Sequence, residues 1–259
     1  MTTTLVSNDA PKRLRRAPLL HLLNPHGNTL FITGAFIVSI AVARFVVSVR
    51  HWKLWQGVAL LLVMMVLPLI VKVRDDIERY GGLVATAGAL LVLQGLHTTE
   101  HLTQLVQRHI LNWPVRASTG LLSPANTEWV HFVWNWLVWV MIVVLIAKGM
   151  RNPFAYMLLA WSTMHTLEHT YLMVRYLQVV SNLHGLGVNN VTAQGLPGIL
   201  GRDGWLDRSS ANNGTLLCRL PFITKATRLD LHAMWNTGEV VFMVPAVHRL
   251  MRTRLPEFR

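Results

Sequence analysis

Apolar residues run almost unbroken along six stretches of the chain, approximately 29–49, 54–73, 82–107, 129–147, 153–177 and 230–248. Each approaches the roughly 20 residues that a helix needs to cross the hydrocarbon of a bilayer. The pattern therefore predicts an all-α integral membrane protein of about six transmembrane helices. The first two stretches are nearly uniform aliphatic runs and read as scaffold. The third follows Asp75, Asp76, Glu78 and Arg79, which predict a solvated loop, and opens near Gly81-Gly82, where small residues permit close helix packing. Between the fifth and sixth stretches, 181–228 is rich in glycine and asparagine, which predicts turns and irregular structure. A loop of that length is usually functional or disordered.

Polar residues break into the last four stretches in a repeated pattern. His97-Thr98-Thr99-Glu100-His101 recurs as His165-Thr166-Leu167-Glu168-His169, and His131-Phe132-Val133-Trp134-Asn135 recurs as His232-Ala233-Met234-Trp235-Asn236. Helices three and four thus form one unit of an internal repeat, and helices five and six the other. The first motif recurs after 68 residues and the second after 101, so the second unit carries an insertion of 33 residues, which falls in the long loop.

At 100° per residue, His97 and His101 lie about 40° apart and Glu100 about 60° to the other side of His97, so all three share one helix face. Two imidazoles at i and i+4 can bind one metal ion. A carboxylate at i+3 can add a third ligand, a bridge or a base for proton transfer. His165, Glu168 and His169 repeat that geometry. Histidine and glutamate are costly in a membrane unless paired, metal-bound or lining a polar path. The expected ligand set is His97, Glu100, His101, His131, His165, Glu168, His169 and His232, with Glu100 and Glu168 as the catalytic carboxylates. Six imidazoles and two carboxylates suit two metal ions, dinuclear or as separate sites, in the manner of a four-helix di-metal bundle. The nitrogen-rich donors favour iron, with copper or zinc as alternatives, over magnesium or calcium.

Asn135 and Asn236 stand next to the ligand histidines and are expected to hydrogen-bond a ligand or a carboxylate. Glu239 is seven residues past His232 on the same face, where the first unit has Val138, and is expected to make the halves unequal. The other histidines, His21, His26, His51, His109, His184 and His248, are assigned no role.

Composition narrows the picture. The 259 residues are 52% apolar and 14% charged, which places the chain in the membrane class. The net charge of +12 suggests nucleic acid, but the basic residues sit at helix ends without interleaved aromatics, so no nucleic-acid partner is expected. They fit the positive-inside rule with both termini cytoplasmic. Residues 1–28 then form a basic cytoplasmic tail, 29–259 a single membrane domain, and the loop 181–228 lies outside. All six motif histidines fall in one layer near the outer face. Cys218 has no partner for a disulfide and is read as a packing residue. The sequons at Asn190 and Asn213 carry little weight.

As a string, His-x-x-Glu-His resembles the inverted zinc-protease motif, in which both histidines bind zinc and the glutamate activates water. The resemblance covers five residues in each copy and implies a zinc hydrolase as an alternative. The membrane desaturases and hydroxylases also hold histidine-rich di-iron centres between helices, but their paired His-His element is missing here. The favoured expectation is an oxygen-activating membrane oxidoreductase acting on an apolar or small substrate, with the bilayer, other membrane subunits or an electron donor as partners. A haem-binding or metal-transport subunit is the non-catalytic alternative. The apolar inner halves of helices three to six argue against transport, and glutamate between two histidines is unexpected for haem.

Overall fold

Local signals in the sequence set the helix boundaries. In the computed structural model, which describes residues 18–189, 195–210, 215–216 and 220–258, α1 is Pro18–Leu23, α2 Thr29–Ser48, α3 Leu54–Tyr80 and α4 Gly82–Leu105. They are followed by α5 Glu128–Ala147, α6 Pro153–Gly185, the short α7 Trp205–Arg208 and α8 Pro221–Thr224, and α9 Arg228–Arg254. Gly81, at φ 80°, ends α3 and starts α4. Thr127 caps α5, and Asn152 caps α6 with Pro153 in its first turn. Thr227 and Asp230 form a capping box at α9. The basic tail before residue 18, Cys218 and the sequon residues Asn190 and Asn213 lie outside the described residues.

Three boundaries differ from the expected ones, the simplest being the end of α9, which runs on to Arg254. Asp75 to Arg79 form no loop: α3 continues through them, because Lys72–Asp76, Arg74–Glu78 and Arg79–Asp75 are paired one turn apart along the helix. The loop after the fifth stretch starts later, since α6 runs on to Gly185.

The helices pack as a ring: α4 on α9, α9 on α6, α6 on α5 and α5 on α4, with α4 and α6 running opposite to α5 and α9. The α2–α3 hairpin attaches through α3 to α4. Inside the ring, two layers separate cleanly. The end formed by the starts of α4 and α6 and the finishes of α5 and α9 is apolar, with Val84, Leu91, Ile142, Leu158, Met243 and Leu250 in one cluster. Leu22 of α1 and Phe258 plug that end. Basic residues collect around it: Lys72 donates to the Leu22 carbonyl at 2.6 Å, and Arg254 reaches the Lys148 carbonyl at 3.5 Å. The opposite end is polar, and the connection 111–127 and the described parts of the connection between α6 and α9 lie there.

Outside the ring the usual distribution is inverted. Helix α2 buries only Ser39, and α3 only Gly57, Pro68 and Asp76, while Leu30 is 88% exposed and Val63 68%. Four helices, His26–Ser48, Leu54–Tyr80, Gly82–Ile110 and Glu128–Ala147, are long and apolar enough to cross a membrane. Helices α6 and α9, at 33 and 27 residues, have the length but not the composition. Their polar side chains, His165 to Thr170 in α6 and His232 to Glu239 in α9, are spent on the polar layer.

Asn152 both caps α6 and donates to the Ala246 carbonyl of α9 at 3.1 Å. Asn152→Ala is expected to cost about 1–2 kcal/mol, the value of a lost cap. A chemical-denaturation midpoint of the purified protein equal to wild type would contradict this.

Candidate metal centre

The polar end is built from the same-face residues of four helices. His97 and His101 come from α4, His131 from the first turn of α5, His165 and His169 from α6, and His232 from the first turns of α9. Their rings form one connected cluster. His97, His101 and His131 lie 4.8 to 5.6 Å apart by ring centre, His169 is 4.9 Å from both His165 and His232, and His131 meets His169 and His232 at 5.2 Å. Five of the six are buried, and His97 is partly exposed.

Hydrogen bonds fix the tautomers of three of these rings. The Nδ1 of His131 lies 3.0 Å from the Thr127 carbonyl, which can only accept, so Nδ1 carries the proton. The Nδ1 of His101 lies 3.0 Å from Gln104 Oε1. The Gln104 amide donates to Asn126 Oδ1 at 2.8 Å, and the Asn126 amide donates to the Thr119 carbonyl at 2.7 Å. That carbonyl orients the whole chain of amides, and His101 Nδ1 is again the donor. The Nδ1 of His165 donates to Glu239 at 2.9 Å. In all three rings the lone pair is therefore on Nε2. The Nε2 atoms of His101 and His131 face each other across 3.4 Å, two acceptors without a proton between them.

The remaining nitrogens make the same point. Among the described residues, His97 Nε2, His165 Nε2, both ring nitrogens of His169 and His232 Nε2 are buried with no hydrogen-bond partner. An unsatisfied buried polar atom costs about 1–3 kcal/mol. A cation bound among them satisfies several at once. The ligand atoms of His97, His101 and His131 already lie within 4.8 Å of one another, close enough to coordinate a metal ion. A second metal-capable cluster is formed by His26, Asp75 and Asp76, with His26 among the histidines assigned no role above. Its groups have local partners in Tyr80, Arg79 and Lys72.

The two motif glutamates turn to the loops rather than to the imidazoles. Glu100 accepts from the backbone amides of Leu121 and Leu122 at 2.8 to 3.1 Å, and Glu168 from those of Ile199 and Leu200 at 3.1 to 3.3 Å. A Cβ on Gly120, at φ 71°, or on Gly198 would run into the respective carboxylate, which is why glycine stands at both places. Each carboxylate thereby fastens one connection over the cluster. Asn135 and Asn236 likewise bind backbone: each donates to the carbonyl of the histidine four residues earlier, His131 or His232, at 2.8 Å. Asn236 Oδ1 also accepts from Gln94 at 3.0 Å.

Glu239 is the carboxylate that does reach a histidine, bonding His165 on one side and Gln94 on the other. Gln94 and Gln104 were passed over in the sequence, although each stands three residues from a motif histidine on an otherwise apolar helix. Glu128 and Arg228 were also passed over. They form a short, largely buried pair joining the starts of α5 and α9, and Arg228 also donates to the Leu196 carbonyl at 3.1 Å. That pair is separated by 100 residues, and no local spacing announces it.

Comparison with known protein families, curated proteins and solved structures gives no match. The site's chemistry therefore has to be read from its geometry.

Glu168→Gln removes the charge that holds the amides of Ile199 and Leu200. A charge-assisted bond of about 1.5–3 kcal/mol corresponds to roughly a tenfold to hundredfold rise in hydrogen exchange at those amides. Unchanged protection there would show that the loop is held by other contacts.

Proposed function

We propose that this chain is an integral-membrane metalloenzyme with a dinuclear, histidine-ligated centre near the outer membrane face. We propose further that it is an oxygen-activating oxidoreductase acting on an apolar or small substrate. The observation that carries the reading is the buried pair of lone pairs on His101 and His131, 3.4 Å apart and surrounded by further imidazole nitrogens without partners. One proton would relieve that pair and leave the other nitrogens unsatisfied. Two metal ions would use all six histidines.

The apolar outer surface of α2, α3 and α5 supports placement in a bilayer, with α6 and α9 as the fifth and sixth spans and members of the ring. The matching roles of Glu100 and Glu168, and of Asn135 and Asn236, support an origin of the two halves by duplication. His97, His101 and His131 would hold one metal ion, and His165, His169 and His232 the other. Iron is favoured by the nitrogen-rich donors, with copper or zinc as the other choices. When bound, the metal pair supplies the redox capacity and open coordination positions that dioxygen chemistry requires. This chain's residues supply the rest: Thr127, Gln104 and Glu239 fix the rings, while the two connections fastened by Glu100 and Glu168 keep water from the layer. An electron donor, as another membrane subunit or a separate protein, completes such a reaction.

The zinc-hydrolase alternative loses support because its water-activating base would be Glu100 or Glu168, and both are engaged by backbone amides. A transport path is disfavoured by the closed apolar cluster beneath the histidines.

Metal analysis of protein purified from membranes is expected to give about two ions per chain and no Soret band. Protein that stays metal-free whatever metal is supplied would overturn the reading. His101→Ala and His169→Ala are each expected to lose metal while still fractionating with membranes. Wild-type metal content in both variants would refute the ligand assignment.

A further inference from the structure

The two halves of the centre differ in one buried charge. Glu239, 1% exposed, stands behind His165, whereas the equivalent place in the first half is Val138, 2% exposed, and among the described residues no carboxylate bonds His97. Gln94 secures Glu239 from α4, and Trp134 in turn donates to Gln94 Oε1 at 3.0 Å. His165 is fully buried and stacked on Trp235 at 5.6 Å with the ring planes 9° apart, while His97 is partly exposed beside Trp134. Packing repeats the difference. Gly238 of α9 lies directly against the Trp161 indole, and Trp161 donates to the Trp235 carbonyl at 2.9 Å, sealing the α6–α9 side.

We propose that Glu239 acts through His165 to make the two metal positions unequal, so that the ion at His165, His169 and His232 is held more tightly than the ion at His97, His101 and His131. This rests on the dinuclear reading above. A carboxylate one imidazole away from a dication offsets its charge in a medium of low dielectric and makes the ring a stronger donor. The motif glutamates do not upset the comparison, because each half has one and each is bound to loop backbone. Arg228 does not upset it either, being paired with Glu128. The first-half donors are already gathered within 4.8 Å, but all three are neutral, and preorganisation leaves a buried dication without a counter-charge. The more weakly held ion is then also the one beside His97, whose ring is partly exposed although its Nε2 is buried. Glu239 is a positioning residue, since its contact is with the ligand histidine.

The test is a cobalt(II) titration of metal-free purified protein, followed by visible absorption and calorimetry. Wild type is expected to bind in two steps at least about tenfold apart. Glu239→Gln keeps an oxygen for the His165 N–H but removes the charge. It is expected to weaken the tighter step by about 10- to 100-fold, the usual effect of losing such a partner, and to leave the weaker step unchanged. His97→Ala, at a partly exposed position that tolerates truncation, is expected to remove the weaker step alone. Two equal steps in wild type, an equal effect of Glu239→Gln on both, or loss of the tighter step in His97→Ala would overturn the proposal and leave the metal centre standing. No cobalt binding by wild type would overturn the metal centre itself, and this proposal with it.

Discussion

Two imidazole nitrogens that both carry lone pairs face each other across 3.4 Å in the buried layer, and the surrounding structure serves to keep them there. Left alone, such a contact is repulsive, and the rings would turn apart or take up a proton. Each ring is held against turning because its Nδ1–H is committed elsewhere: to the carbonyl of Thr127 for His131, and for His101 to an amide relay that ends on the carbonyl of Thr119. Both anchors are backbone acceptors, whose role cannot be reversed by an amide flip or a change of tautomer. The connection 111–127 supplies both of them, and Glu100 and Gln107 hold that connection in place: Glu100 through Leu121 and Leu122, Gln107 through Gly120 at 2.8 Å.

The cost of this layer also explains how polarity is distributed along the helices. Every helix of the ring gives one half to an apolar cluster and the other half to histidines and amides, with opposite order in α4 and α6 compared with α5 and α9. Adjacent antiparallel helices thereby stack like with like. Helices α6 and α9 carry the heaviest polar load and are the ones that lose the plain apolar character of a spanning helix. Glu239, Gln94 and Asn236 tie α4, α6 and α9 together at the boundary between the layers. A buried charge at such a boundary is costly to leave unpaired, which favours one arrangement of the three helices over near alternatives.

Much of this was legible in the chain. The long apolar runs gave helix limits within a few residues, apart from α3, where charge pairs one turn apart read as a loop, and the far ends of α6 and α9, which extend further. The repeated motif identified the six histidines that the fold brings together, since helical spacing alone decides which face they share. It did not announce the loop amides that hold the two glutamates, for a physical reason. A glutamate at i+3 shares the histidine face in projection, yet its longer side chain reaches the loop above, and no spacing rule tells which set of donors will claim it. Gln94 and Gln104 had the same i±3 signal as the glutamates. The Glu128–Arg228 pair had none, because it exists only once α5 and α9 are side by side.

X-ray absorption at the metal edge of loaded protein tests the central claim most directly. The account predicts a first shell of imidazole nitrogens near 2.0–2.1 Å, the usual distance for histidine ligation, with the multiple-scattering pattern of at least three histidines per metal. A shell dominated by oxygen, or fewer than three imidazoles per ion, would contradict it.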